Sequence, residues 1–336
     1  MKNFYKMLFL NTMIIGTLIS ISSTSWLTSW IGLEINLLSM MPLMKNIKNK
    51  FSSEATIKYF IVQTMASSML LFSIIIFANI KNFSYHLSTI PSIFTDLALL
   101  MKMGAAPLHF WLPEVISGMN WSMGYILLTW QKIAPMILLT YSSMIPLFLS
   151  IFIVSSSLIS GLQNMNQTCL RKILAYSSIN HVSWMISAMM NSFMIWFYYF
   201  IIYCLINSNI VLLLNKYNIY FINQLSKFLT WNKNMKFMFM MNFLSLGGLP
   251  PFIGFLPKWL VINFMIKNNF YSLAILLIIF TLMSLYTYLR ITFSSLILNS
   301  EESLVNKNYN NNYTQFMSNF ISLSGLMMCT IMVNYL

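Results

Sequence analysis

Long, unbroken apolar runs separated by short polar joints set the pattern of this chain. The runs are continuous rather than alternating, which favours helices over the period-two strands of a barrel. At about 20 residues per crossing, the pattern predicts eleven spans at 7–24, 26–44, 56–79, 92–112, 122–144, 146–165, 170–190, 193–214, 236–266, 271–294 and 315–334. The polar joints at 45–55, 215–235 and the asparagine-rich 299–314 read as surface loops.

Composition turns this pattern into a class. The 336 residues are 58% hydrophobic and only 7% charged, and mean hydropathy is +0.72. Soluble domains carry roughly 25% charged residues. The expectation is an all-α polytopic membrane protein with residues 1–336 forming one membrane-embedded domain. A formal charge of +13 would point to nucleic acid in a soluble chain. Here fourteen of the nineteen Lys and Arg fall on the N-terminal side of the predicted spans or at its margin, and only Lys81 and Lys267 fall on the other. That asymmetry is a topology signal, and no nucleic-acid partner is expected.

Cys169, Cys204 and Cys329 are far apart, and no Gly-rich phosphate loop occurs. No cofactor or metal is therefore expected on this chain. The N-terminus, Met-Lys-Asn-Phe-Tyr-Lys, enters the first span without an Arg-rich transit segment, so insertion where the chain is made is expected. Packing gives no account of the 29 methionines.

Three lysines remain inside spans: Lys102, Lys132 and Lys258. A lysine at the bilayer centre costs about 2.5–3.5 kcal/mol on insertion scales, which makes each a candidate functional residue. Glu34 joins them, eight residues or roughly 12 Å into the second span. Asp96 lies nearer a span end, where water is expected to reach it. A buried lysine whose carboxylate partner can approach or leave is a proton site of adjustable affinity. The expectation is that Glu34 modulates Lys102 and that protons pass through Lys132 towards Lys258. The bland readings are snorkelling, strongest for Lys258, and a fixed Glu–Lys pair for Glu34. His109 and His181 can relay protons near neutral pH, although a buried histidine is as often a packing residue. Glu114 reads as a solvated span end or an entry point.

A short internal echo accompanies these charges. Gly104-x-x-Pro107 precedes Leu112-Pro113-Glu114, and Gly247-x-x-Pro250 precedes Leu256-Pro257-Lys258. The two spans are five apart and so cross in opposite senses. Interrupted helices recurring in inverted orientation point to a transporter's midplane site. Such breaks persist in a membrane only where protein or a water-lined cavity satisfies the freed backbone.

Five stretches carry a family resemblance: Trp-Ile-Gly-Leu-Glu-Ile-Asn from Trp30, Lys-Met-Gly-Ala-Ala-Pro-Leu-His-Phe-Trp-Leu-Pro-Glu from Lys102, Trp-Gln-Lys-Ile-Ala-Pro from Trp130, Ala-Tyr-Ser-Ser-Ile-Asn-His from Ala175, and Gly-Gly-Leu-Pro-Pro-Phe-Ile-Gly-Phe-Leu-Pro-Lys-Trp from Gly247. With these, the chain resembles the antiporter-like membrane-arm subunits of mitochondrial respiratory complex I, in the insect form of the subunit 2 branch. The resemblance implies two inverted five-helix repeats, roughly 7–144 and 146–294, each with a broken helix, and a C-terminal helix at 315–334. It implies proton-channel roles for Glu34, Lys102, Lys132 and Lys258, in a complex that oxidises NADH, reduces ubiquinone and translocates protons. NADH, FMN, the iron–sulfur clusters and ubiquinone would belong to the parent complex and none to this chain. Partners would be the other membrane-arm subunits, accessory subunits and inner-membrane lipids. The location would be the mitochondrial inner membrane, with the N-terminus towards the matrix and the C-terminus towards the intermembrane space. The eleven spans fall short of the fourteen of bacterial relatives at the N-terminus, and animal mitochondrial codes, which read an additional codon as methionine, would account for the methionine load. A stand-alone cation/proton antiporter would use the same lysines, and a structural scaffold would use them only to hold helices together.

Overall fold

The computed structural model describes residues 2–46, 49–79, 89–142, 145–228, 233–297 and 319–320. The described residues form α-helices with no strands, apart from one isolated bridge between Cys169 and Phe221. They group into two compact units, Met1–Ser155 and Ser156–Leu336. The boundary falls inside a helix, α8 in the order below. The predicted C-terminal span lies outside the described residues except for 319–320.

The first unit contains α1 (Lys2–Ser22), α2 (Trp26–Met44), α3 (Lys50–Asn79), α4 (Thr89–Met103), α5 (Trp111–Gly118), α6 (Trp121–Leu128) and α7 (Trp130–Tyr141). Helix α8 (Pro146–Met165) carries the chain across the boundary. The second unit then holds α9 (Leu170–Asn191), α10 (Phe193–Tyr217), α11 (Ile222–Phe228), α12 (Lys233–Gly247), α13 (Phe255–Lys267) and α14 (Tyr271–Ile297). Three predicted spans are thus each two helices: 92–112 is α4 plus α5, 122–144 is α6 plus α7, and 236–266 is α12 plus α13. Among the described residues, five stretches, Phe4–Ser22, Lys50–Asn79, Pro146–Met165, Phe193–Tyr217 and Tyr271–Phe293, are long and apolar enough to cross a membrane on their own.

Side chains are distributed inside out. On α3, Ile57, Ile61, Met65, Phe72 and Ile75 face outward while Gln63, Ser67 and Ser73 are buried. An exposed apolar face and a polar interior suit a helix surrounded by lipid. The buried hydroxyls look after themselves by bonding to the carbonyl three residues back, as Ser20 does to Thr17 at 2.7 Å and Ser73 to Leu70 at 2.6 Å. Ser25 opens α2 by accepting from Thr28 N–H at 3.3 Å, and Ser192 opens α10 by accepting from Ile195 N–H at 3.4 Å.

Helices α1 and α2 approach most closely at Gly32. A Cβ there would stand 2.6 Å from the Ser20 nitrogen and 2.8 Å from the Gly16 carbonyl oxygen. Backbone cannot yield as a flexible side chain can, so this is a small-residue helix contact of the kind membranes favour. Gly32→Ala is expected to push the helices apart and cost about 1–3 kcal/mol. The check is the thermal melting of the solubilised protein, where an unchanged midpoint would contradict this contact.

Candidate functional site

Both broken helices are built in the same way. In the first unit, Gly104 has φ +75°. Its N–H donates to Met101 C=O at 3.2 Å, and Ala105 N–H donates to Leu100 C=O at 3.0 Å. In the second unit, Gly248 has φ +78°, with Gly248 N–H on Ser245 C=O at 3.0 Å and Leu249 N–H on Leu244 C=O at 3.4 Å. These are paired 5→2 and 6→1 bonds that close a helix on a left-handed glycine. The structure therefore aligns Gly104 with Gly248 and not with Gly247 as the echo in sequence suggested. In that register both glycines are followed by proline at +3 (Pro107, Pro251) and at +9 (Pro113, Pro257), and Glu114 matches Lys258.

Side chains take up the carbonyls that the breaks release. The Trp111 indole donates to Met101 C=O at 3.2 Å, Gln63 Nε2 to Lys102 C=O at 3.4 Å, Ser155 Oγ to Ala106 C=O at 2.9 Å and His109 Nδ1 to Pro107 C=O at 3.2 Å. In the second unit, Lys258 Nζ donates to Gly247 C=O at 2.8 Å and to Leu246 C=O at 3.4 Å. Its ammonium faces the negative end of α12, which favours a cation, and lies 5.9 Å from the centre of the Trp184 ring.

The predicted lysines are buried, with exposures of 6% for Lys102, 1% for Lys132 and 7% for Lys258. Lys258 bonds inward to the break and does not snorkel. Lys102 and Lys132 line one cavity of about 20 Å³ in the first unit, room for about one water, together with Asn36, Tyr59, Gln63 and Gln131. Two hydrogen bonds join three of these polar residues: Gln131 Nε2 donates to Asn36 Oδ1 at 2.7 Å, and Tyr59 Oη donates to Gln131 Oε1 at 3.5 Å. Lys132 sits in the first turn of α7, where its N–H reaches Thr129 C=O at 3.2 Å. Thr129, at φ −116° and ψ −70°, separates α6 from α7. Sequence reasoning missed this interruption and the four polar lining residues. Polar side chains inside apolar runs were the available signal for the latter.

Glu34 is partly buried, and its Oε1 is buried with no hydrogen-bond partner. It lies within electrostatic reach of Lys102 and Tyr59 but makes no direct ion pair with Lys102. Asp96 departs from expectation. It is fully buried at 0% exposure, held away from water by the packing of α4 on α7, and its Oδ1 accepts from the Ser142 hydroxyl at 2.5 Å. Glu114 is 54% exposed and pairs with Lys58 at 2.6 Å, the one ion pair among the described residues. His181, in the second unit, hydrogen-bonds the Tyr199 hydroxyl through Nδ1 at 2.8 Å and borders a small pocket with Gly254 and Pro257 of the break. Among the described residues, no three His, Cys, Asp or Glu side chains gather in a metal-binding group.

Helices broken at left-handed glycines, with buried lysines at the breaks, define a polytopic membrane protein of the discontinuous-helix type. The chain belongs to the NADH:quinone oxidoreductase/Mrp antiporter transmembrane family, whose profile matches residues 23–285. It is 45% identical over 337 residues to NADH-ubiquinone oxidoreductase chain 2 of Anopheles gambiae, covering 98% of each chain. It is 46% identical over 302 residues to the chain of the same name from Locusta migratoria, covering 90% of this chain and 88% of that one. In fold it resembles a chain of respiratory complex I from Thermus thermophilus with bound aureothin, at TM-score 0.86 and 22% identity over 97% of this chain and 78% of that one.

The register of the second break has a direct check. Gly248→Ala forces a left-handed backbone that costs about 1–2 kcal/mol, and its Cβ would stand 2.8 Å from Lys258 Cδ. A Cβ at Gly247 would meet the Tyr288 ring at 3.4 Å and the Leu285 side chain at 3.6 Å, near-ordinary contacts with side chains. Melting experiments are expected to show Gly248→Ala destabilised and Gly247→Ala near wild type, and the reverse order would refute the alignment.

Proposed function

We propose that this chain is the antiporter-like subunit in the membrane arm of a mitochondrial NADH:ubiquinone oxidoreductase and that it carries protons across the membrane through buried charges. The observation that supports this most is the cavity of the first unit. Two buried lysines face one space beside a broken helix, amid hydroxyl and amide groups that can hold water.

The chemistry follows from the residues. Ammonium groups that share a cavity repel each other, so a proton on one opposes a proton on the other and charge is handed on rather than stored. Glu34, near Lys102 without a direct bond to it, biases that balance through its proximity. Lys132 receives the proton from Lys102. Lys258 is the carrier of the second unit, held against the carbonyls of its break, and His181 stands beside that break as a further carrier. His109 is tied to Pro107 and serves the break more than the path.

In this reading the chain makes eleven crossings in two inverted repeats, with its N-terminus towards the matrix and its C-terminus towards the intermembrane space. It holds no redox centre. NADH, the flavin, the iron–sulfur clusters and ubiquinone are handled by other subunits, and its neighbours are membrane-arm subunits, accessory subunits and inner-membrane lipids.

Lys132→Met in the assembled complex decides between carrier and scaffold. Positioned proton donors contribute about 10²–10⁴ to rate, so NADH-driven proton pumping is expected to fall at least about tenfold while the complex still assembles. An assembled variant that pumps at the wild-type rate would overturn the reading. Purification of the native chain free of any NADH-oxidising complex would favour a stand-alone antiporter.

A further inference from the structure

Asp96 is the buried acid to which the reading above gives no task. It lies on α4 six residues before Lys102, roughly 9 Å along the helix axis. Ser142, which closes α7, lies ten residues after Lys132. The two lysines share a cavity, and Asp96 and Ser142 share a hydrogen bond. Helices α4 and α7 therefore run in opposite directions, and the acid–hydroxyl pair is offset from both lysines towards the same end of the unit.

That end is polar. A groove of about 200 Å³ opens there, lined by Ser23, Thr24, Ser25, Trp26 and Ser29 around the α1–α2 turn and by Leu138 and Tyr141 of α7. Tyr141 immediately precedes Ser142. The exposed Lys58–Glu114 pair involves α3 and α5 and contributes to neither cavity nor groove.

The acid itself is only half served. Ser142 donates to Oδ1, whereas among the described residues Oδ2 is buried without a hydrogen-bond partner and no cation pairs with the carboxylate. Leaving a buried acceptor unserved is costly, and a fixed structural tie between α4 and α7 would need only a neutral acceptor for the serine. We propose that Asp96 is a proton-relay residue linking the Lys102–Lys132 cavity to the serine-lined groove at the α1–α2 turn. A proton released from the lysine cavity binds Oδ2 while Ser142 keeps Oδ1 in place. The same proton then leaves Oδ2 towards the groove and restores the carboxylate, so the acid is unchanged after each passage. This rests on reading Lys102 and Lys132 as proton carriers.

Asp96→Asn separates relay from tie, because asparagine still accepts from Ser142 but cannot carry a proton. In the assembled complex its NADH-driven pumping is expected to fall at least about tenfold, within the range of a lost proton-transfer group. Wild-type pumping by Asp96→Asn alongside a Lys132→Met variant that has lost pumping would overturn the relay and leave the wider reading standing. Wild-type pumping by both would overturn the wider reading as well. If Asp96→Asn does not assemble, Ser142→Ala decides, since it cuts the hydrogen bond and spares the acid. The relay predicts an assembled, pumping Ser142→Ala complex, whereas failure of Ser142→Ala to assemble would mark a structural tie and refute the proposal.

Discussion

A helix that breaks inside hydrocarbon must find partners for the backbone groups it releases, and each of the two units depends on how it meets that demand. In both, a left-handed glycine closes the first half-helix with the same pair of backbone bonds. The side chains that reach the breaks differ. In the first unit Trp111, Gln63, Ser155 and His109 donate to carbonyls in and beside the break, and Lys102 lines the cavity instead. In the second, the ammonium of Lys258 itself takes two of them.

This difference divides structural from functional work. Lys258 supplies charge where the negative end of α12 favours it, so its removal would cost the contacts that serve the end of that helix as well as the proton site proposed for it. Lys102 and Lys132 are surrounded by groups that bond to one another, as Gln131 does to Asn36 and Tyr59 to Gln131. Their burial is not needed to hold those contacts. An intramembrane lysine costs about 2.5–3.5 kcal/mol, a cost that the proton path proposed for these two residues would explain.

Much of this was legible in the residues. A lysine in an apolar run stands out because charge is the costliest departure from hydropathy, so Lys102, Lys132 and Lys258 were found, as was Glu34. Glycine and proline marked both breaks, although the choice between Gly247 and Gly248 needed backbone angles, since adjacent glycines look alike in sequence. The interruption at Thr129 carries neither glycine nor proline and left no sign. Asn36, Tyr59, Gln63 and Gln131 were passed over because neutral polar side chains barely lower local hydropathy, and only a fold can show that they converge. Asp96 was misjudged because distance from a span end was read as access to water, whereas neighbouring helices decide access.

The central claim is that Lys102 and Lys132 exchange protons across their shared cavity. The most direct test is a high-resolution cryo-electron microscopy map of the assembled complex that resolves ordered water around these two side chains. Ordered water bridging Lys102 Nζ and Lys132 Nζ beside Tyr59 and Gln131 is the predicted result. A dry cavity, with both ammonium groups fixed on protein carbonyls or carboxylates, would contradict it.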